Sequence, residues 1–176
     1  MARIEETIEV AVPVRTAYDQ WTQFEEFPRF MEGVEEVRQL DDAHLHWKAH
    51  VGGRTHEWDA EITEQVPDTI IAWKATSGYS NAGSVRFAPA GDGGTAVTVV
   101  LAYEPEGAVE KAADWLGLAQ RRVRSDLERF REMIEARGQA TGAWRGELIG
   151  GRPAAPGGTA ADTAPDVANP WGGPLG

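Results

Sequence analysis

Apolar and polar residues alternate with a period of two from Val34 to Ala75, and this stretch predicts four short antiparallel strands. Val34 to Leu40 is the first of them, and Asp41-Asp42-Ala43 turns into His44-Leu45-His46-Trp47-Lys48-Ala49-His50-Val51. Gly52-Gly53 then has the composition of a two-residue hairpin turn. Folding the chain back there sets Trp58 opposite Trp47, Glu57 opposite Lys48, Asp59 opposite His46 and Glu61 opposite His44. A slip of one residue would break every one of these pairs, so the register is strongly specified. The next turn, Pro67-Asp68, sets Trp73 opposite Ile62. Tryptophans therefore gather on one face and charges on the other.

The same alternation predicts a strand before this region and two after it. Ile4, Ile8, Val10 and Val12 share one side of a first strand, with Glu6 as the odd polar residue, and Pro13 ends it. Ser84 to Ala88 turns Val85 and Phe87 inward. After Gly91-Asp92-Gly93-Gly94, Thr95 to Tyr103 does the same with Val97, Val99, Leu101 and Tyr103. Seven strands result.

Elsewhere the period is 3.6. Val14 to Gln23 reads as a short helix, and Phe24 to Met31 as a second one loosened at Pro28. From Glu106 to about Arg137, Val109, Ala112, Leu116, Ala119, Val123, Leu127, Phe130 and Ile134 form one long apolar stripe. Gly117 is a candidate kink and Gly138 a candidate C-cap. A sheet with one apolar face must cover it, and the long helix carries the large apolar stripe left to do so. The expected fold is α+β: a seven-stranded antiparallel sheet wrapped around a long C-terminal helix, with two short helices after the first strand. A cavity between helix and sheet is expected, lined by inner-face side chains.

From Gly138 the composition changes. Ten of the last 39 residues are Gly and five are Pro, with no apolar period. The expectation is a domain over residues 1–137 and a disordered Gly/Pro/Ala-rich tail over 138–176. Trp171 in that tail is a candidate docking anchor for a protein partner, which would make the chain an adaptor or assembly factor.

Charge and cysteine content narrow the function. The formal net charge is −11, from 17 basic and 28 acidic residues. So acidic a surface repels phosphate backbones, which argues against nucleic acid and anionic membranes as partners. Arg121-Arg122-Val123-Arg124 reads as a solvated helix face. There are no cysteines, which excludes thiol chemistry and Cys-ligated metal and fits a cytoplasmic location. The apolar run Ala96 to Ala102 is too short to span a membrane, and no signal peptide is visible. His44, His46 and His50 share one strand face, but their cross-strand partners are Glu61, Asp59 and Thr55, so they are read as surface pairs, with no metal or cofactor expected.

Several motifs occur in an order that resembles a known family. They are Val14-x-x-Ala17-Tyr18-x-x-Trp21 and Phe24-x-x-Phe27-Pro28-x-Phe30-Met31-x-x-Val34. Trp58-x-Ala60-Glu61-Ile62 follows, then Pro67 and Ile71-x-Trp73, and the ending Asp126-Leu127-x-x-Phe130-x-x-x-Ile134-Glu135. Over residues 1 to about 137 the chain resembles the polyketide cyclase/dehydrase-like and coenzyme-Q-binding START proteins of the SRPBCC superfamily. The resemblance implies a helix-grip (START-like, Bet v 1-like) fold and a polyketide, quinone or lipid-like ligand. It also implies a cyclase/dehydrase activity as the alternative to binding alone. In that case His56, placed by register on the inner face, is the candidate acid or base and Arg54 the candidate anion stabiliser. Aromatase/cyclase members use a pocket arginine with hydroxyl residues, and no position here matches that set. The candidate ligand-binding residues are Trp47, Trp58, Trp73, Phe87, Tyr79, Asn81, Trp115 and Phe30.

Overall fold

A computed structural model describes residues 2–51, 53–103 and 112–153, with backbone alone at 2, 51 and 112–115. Seven antiparallel strands form its main sheet: β1 Ala2–Val10, β2 Val34–Asp41, β3 His44–Val51, β4 Arg54–Val66, β5 Ile70–Gly78, β6 Asn81–Pro89 and β7 Thr95–Tyr103. Their order across the sheet is β1-β7-β6-β5-β4-β3-β2, so β2 to β7 form a meander and the chain's first strand pairs with β7. Between β1 and β2 lie α1, Val14–Trp21, and a 3-10 helix, Phe24–Arg29. Pro28 lacks an N–H and cannot propagate an α-helix, which accounts for the tighter winding there.

The register of the β3–β4 hairpin is the one expected from a two-residue turn, with Val51 opposite Arg54. Trp47 faces Trp58, Lys48 faces Glu57, His46 faces Asp59 and His44 faces Glu61. Ile62 faces Trp73. On the outer face His46 contacts Asp59 at 2.7 Å through Nδ1 and Glu57 at 2.9 Å through Nε2. Both ring nitrogens face carboxylates, first Asp59 and then Glu57, and these hold the His46 pKa above the usual histidine range.

The long helix α2, Ala112–Arg137, runs on through Gly117 and ends at Gly138, whose φ of 72° and N–H bond to the Ile134 carbonyl make the expected C-cap. The expected first turns, 106–111, lie outside the described residues. Leu127, Phe130 and Ile134 are buried against the sheet. Glu6, the odd polar residue of β1, receives Arg124 (Nη2–Oε2 3.0 Å) and Gln120 (2.6 Å) from α2. Arg124 is thus half of a helix-to-sheet clamp rather than part of a free solvated face.

The boundary expected at residue 137 is corrected by the structure. Residues 138–153 form a strap that returns across α1 and adds two short strands, β8 Leu148–Ile149 and β9 Arg152–Pro153. Thr141 N–H bonds to Gln20 Oε1 (2.9 Å), and Gln20 Nε2 donates to Thr141 Oγ1 (3.1 Å). Trp144 N–H bonds to Thr22 Oγ1 (3.1 Å), and Arg145 pairs with Asp19 and, at 2.8 Å, with Asp68. Leu148 is fully buried, and β8 pairs with Glu64 and Gln65 of β4, beyond the end of β3. A strap held by individual side-chain bonds needs no apolar period, so composition conceals it. The rest of the expected tail, 154–176 with Trp171, lies outside the described residues.

Candidate functional site

The inner faces of β3 to β7 do not close completely on α2. Between them lies a cavity of about 830 Å³, a size typical of small-molecule sites. Its floor is the aromatic cluster of Trp21, Phe24, Phe27 and Phe30, in which Trp21 and Phe30 also pack against Phe130 of α2. Its walls are Leu45, Trp47, Trp58, Ile62, Ile71, Trp73, Val85, Val99 and Leu101 from the strands, with Ala119, Val123 and Leu127 from α2. The mouth is framed by Glu32 and Gly33 before β2, by His50 and Gly53 at the β3–β4 hairpin, and by Leu118, Arg121 and Arg122 on α2.

Cross-strand pairing explains the aromatic wall. Trp47 and Trp58 stand opposite each other, and their rings stack with centroids 5.6 Å apart and planes 8° apart. Trp73 faces Gly83, where any Cβ would press on the Val100 carbonyl and the Trp73 ring. Glycine therefore lets that indole lie against β6. Trp73 Nε1 donates to Asn81 Oδ1 (3.2 Å), and Asn81 Nδ2 donates to the Tyr79 carbonyl (3.0 Å). The indole N–H groups of Trp47 and Trp58 are buried without an acceptor among the described residues.

Six of the sequence candidates border the cavity: Trp47, Trp58, Trp73, Tyr79, Asn81 and Phe30. Phe87 does not. It is buried at the filled end, 5.3 Å from the Tyr18 ring and 6.3 Å from Trp21. His56 has the expected inner-face parity, but its ring packs 5.0 Å from Tyr79 and it is not part of the wall. Arg54, beside the hairpin turn, is exposed. The side chain of Trp115 lies outside the described residues. No group of three potential metal ligands occurs among the described residues.

The structure adds a carboxyl group at the mouth that chemistry-bearing motifs did not single out. Asp126 Oδ1 accepts the Glu32 backbone N–H (3.2 Å) and bonds to Arg129 Nη2. Arg129 in turn donates to the Phe30 carbonyl (3.1 Å) and to Ser125 Oγ (2.9 Å). This set ties the segment before β2 to α2. Burial pushes the Asp126 pKa up to about 6, against the downward pull of the Glu32 N–H, Arg129 and Arg122. Helical spacing was the available signal: Arg122, Asp126 and Arg129 run along the polar border of the apolar stripe.

A raised carboxyl pKa has a definite sign in the linkage. The folded state binds more protons than the unfolded one between about pH 4 and about pH 6, so this group's contribution falls as pH rises through that window. Asp126→Asn keeps an acceptor for the Glu32 N–H and does not titrate. The stability of wild type minus that of the variant should therefore decline from pH 4 to pH 6 and level off by pH 7. Urea denaturation of both proteins measures it, and a difference that rises with pH contradicts the assignment. Taking the difference cancels groups such as Asp41, Glu57 and Asp59, whose lowered pKa values give the opposite slope.

Comparison with known proteins agrees with this architecture. The family model described as "Polyketide cyclase / dehydrase and lipid transport" matches residues 10–131. An uncharacterised 17.2 kDa protein from the melC2-rnhH intergenic region of Streptomyces lincolnensis is 49% identical over 150 residues, 85% of this chain and all of that protein. Among solved structures, a START superfamily protein from Mycobacterium smegmatis aligns with TM-score 0.64 and 15% identity, over 75% of this chain and 98% of its own. The Zhui aromatase/cyclase of Streptomyces sp. R1128 aligns with TM-score 0.66 and 16% identity, over 81% and 99%. The fold is the START-like helix-grip fold, and the chain belongs to the polyketide cyclase/dehydrase and lipid transport family. Family and fold support a role in binding or cyclising a hydrophobic ligand. No described helix is long and apolar enough to cross a membrane.

Proposed function

We propose that the protein binds a flat, hydrophobic small molecule bearing a hydrogen-bond acceptor, and holds it without transforming it. The observation that carries this reading is the cavity itself: about 830 Å³, lined by four tryptophans, phenylalanines and aliphatic side chains. Such walls favour planar apolar ligands through area burial and ring stacking. The buried indole N–H groups of Trp47 and Trp58 add polarity. Both are covered in this structure, so a ligand carbonyl reaches one only when the indole turns; a buried donor without a partner costs about 1–3 kcal/mol, which favours such a carbonyl over a pure hydrocarbon. Against catalysis stand the positions of His56 and Arg54, off the wall and exposed respectively.

Titration with a naphthoquinone, followed by tryptophan fluorescence and by chromatography of the recovered compound, tests both halves. Saturable quenching at one equivalent with unchanged compound is expected. The double variant Trp47→Phe/Trp58→Phe keeps the aromatic wall and loses both donors. It should bind the quinone about 3–10-fold more weakly, the worth of about one neutral hydrogen bond, while binding of anthracene stays unchanged. Absence of saturable binding by either compound overturns the reading, and chemical conversion of the quinone overturns its second half.

A further inference from the structure

The arginines of α2 near the cavity have different fates. Arg124 is committed to Glu6, and Arg129 to Asp126, the Phe30 carbonyl and Ser125. Glu32 also lies 3.7 Å from Arg129. Arg121 and Arg122 border the cavity mouth, and among the described residues neither has an ion pair or a side-chain hydrogen bond. The two carboxylates that line the mouth are engaged by Arg129: Asp126, which also accepts the Glu32 N–H, and Glu32 at 3.7 Å.

We infer that the ligand is an amphiphile whose anionic end group, a carboxylate or phosphate, is held at the cavity mouth by Arg121 and Arg122. The inference rests on the binding function proposed above and specifies the class of its ligand. A chain of net charge −11 repels anions at long range. Two guanidinium groups at the opening of an apolar cavity, of which Arg122 also acts on Asp126 without forming an ion pair, supply the local charge that reverses this. Guanidinium suits the task because it is weakly hydrated and bonds carboxylate or phosphate oxygens in pairs.

Two further features position the end group. The Arg122 guanidinium reaches over Gly33, where any Cβ would collide with Nη1. Glycine at that position thus leaves room for the arginine at the rim. Leu118, one helical turn before Arg121 and Arg122, is 54% exposed although it borders the cavity. Along α2 the two cations therefore lie between apolar lining positions, Leu118 before them and Val123 and Leu127 after, so an anion held there has apolar wall beside it for the body of an amphiphile.

The test uses the full chain and three probes: 2-anthracenecarboxylate, its methyl ester, and an anthracenyl phosphate. At pH 7 the carboxylate should bind about tenfold more tightly than the ester. The double variant Arg121→Gln/Arg122→Gln should bind both alike, with ester affinity unchanged and the fold intact by circular dichroism. The phosphate arm identifies the preferred anion: a larger wild-type preference for phosphate than for carboxylate assigns a phosphate end group, and the reverse a carboxylate. Equal binding of ester and both anions by wild type overturns this inference alone. A preference that survives the double substitution also overturns it. Failure of all three probes to bind removes the cavity reading and this inference with it.

Discussion

A chain ending at Arg137 is expected to be less stable than the full chain by about 4 kcal/mol or more, with Tm lower by about 10–15 °C. Leu148 is fully buried, and loss of a buried leucine side chain alone costs about 2–5 kcal/mol. Asp19 is 8% exposed and pairs with Arg145, so removing that arginine leaves a nearly buried carboxylate with only the looser contact to Arg15 at 3.7 Å. Gln20 and Thr22, both buried, lose Thr141 and the Trp144 N–H. Against a typical total of about 5–15 kcal/mol, these losses are a large fraction, and at this chain length each kcal/mol is worth about 2–4 °C. A chain ending at Pro153 keeps every one of these contacts and should melt with the full chain. Thermal melts of the three lengths decide the matter. A 137-residue chain that melts within about 2 °C of the full chain would mean that the strap contributes nothing.

The strap marks where sequence reading stops. The β3–β4 hairpin was legible because a slip would separate Lys48 from Glu57 and His46 from Asp59, whereas the three-residue turn and the bulge of β4–β5 leave no such signal in Pro67-Asp68. Periodicity assigns a residue to a face, yet it does not say how far along the strand the helix covers that face. His56 and Trp58 share parity, but Trp58 walls the cavity and His56 packs on Tyr79 nearer the hairpin tip. Phe87 shares parity with Val85 and falls at the filled end, against Tyr18 and Trp21 of α1. Parity likewise missed the mouth, because Arg121, Arg122 and Asp126 lie at the border of the helical stripe. There Arg121 and Arg122 read as solvated, as their exposure bears out, and only the placement of the facing segment, Glu32-Gly33, shows that they also border the cavity. The strap was hidden for a related reason: Gln20 and Thr22 are polar, and only the chain's return at Thr141 and Trp144 gives their buried side chains partners.

Aromatic packing at the cavity floor carries the second large effect. Trp21→Ala should cost about 3–5 kcal/mol, the range for deleting a large buried aromatic. Trp21 is 4% exposed, and its ring centroid lies 4.8 Å from Phe130, 5.5 Å from Phe30, 5.7 Å from Phe27 and 6.3 Å from Phe87. Four ring contacts disappear together, each worth about 0.5–1.5 kcal/mol beyond area burial. Trp21 also borders the existing cavity, so the vacated volume joins a larger space instead of being refilled by its neighbours. That geometry gives the substitution a signature that simple core damage lacks. Indole should restore stability to the variant in proportion to its concentration, by about 2.7 kcal/mol at 100 times its dissociation constant. It should do so more weakly in wild type, where the floor is filled. Urea denaturation of both proteins with and without indole measures the effect, with Trp21→Phe as a control expected to lose less than the alanine variant. A loss below about 1 kcal/mol, or an indole response equal in variant and wild type, would show that the floor is not continuous with the cavity.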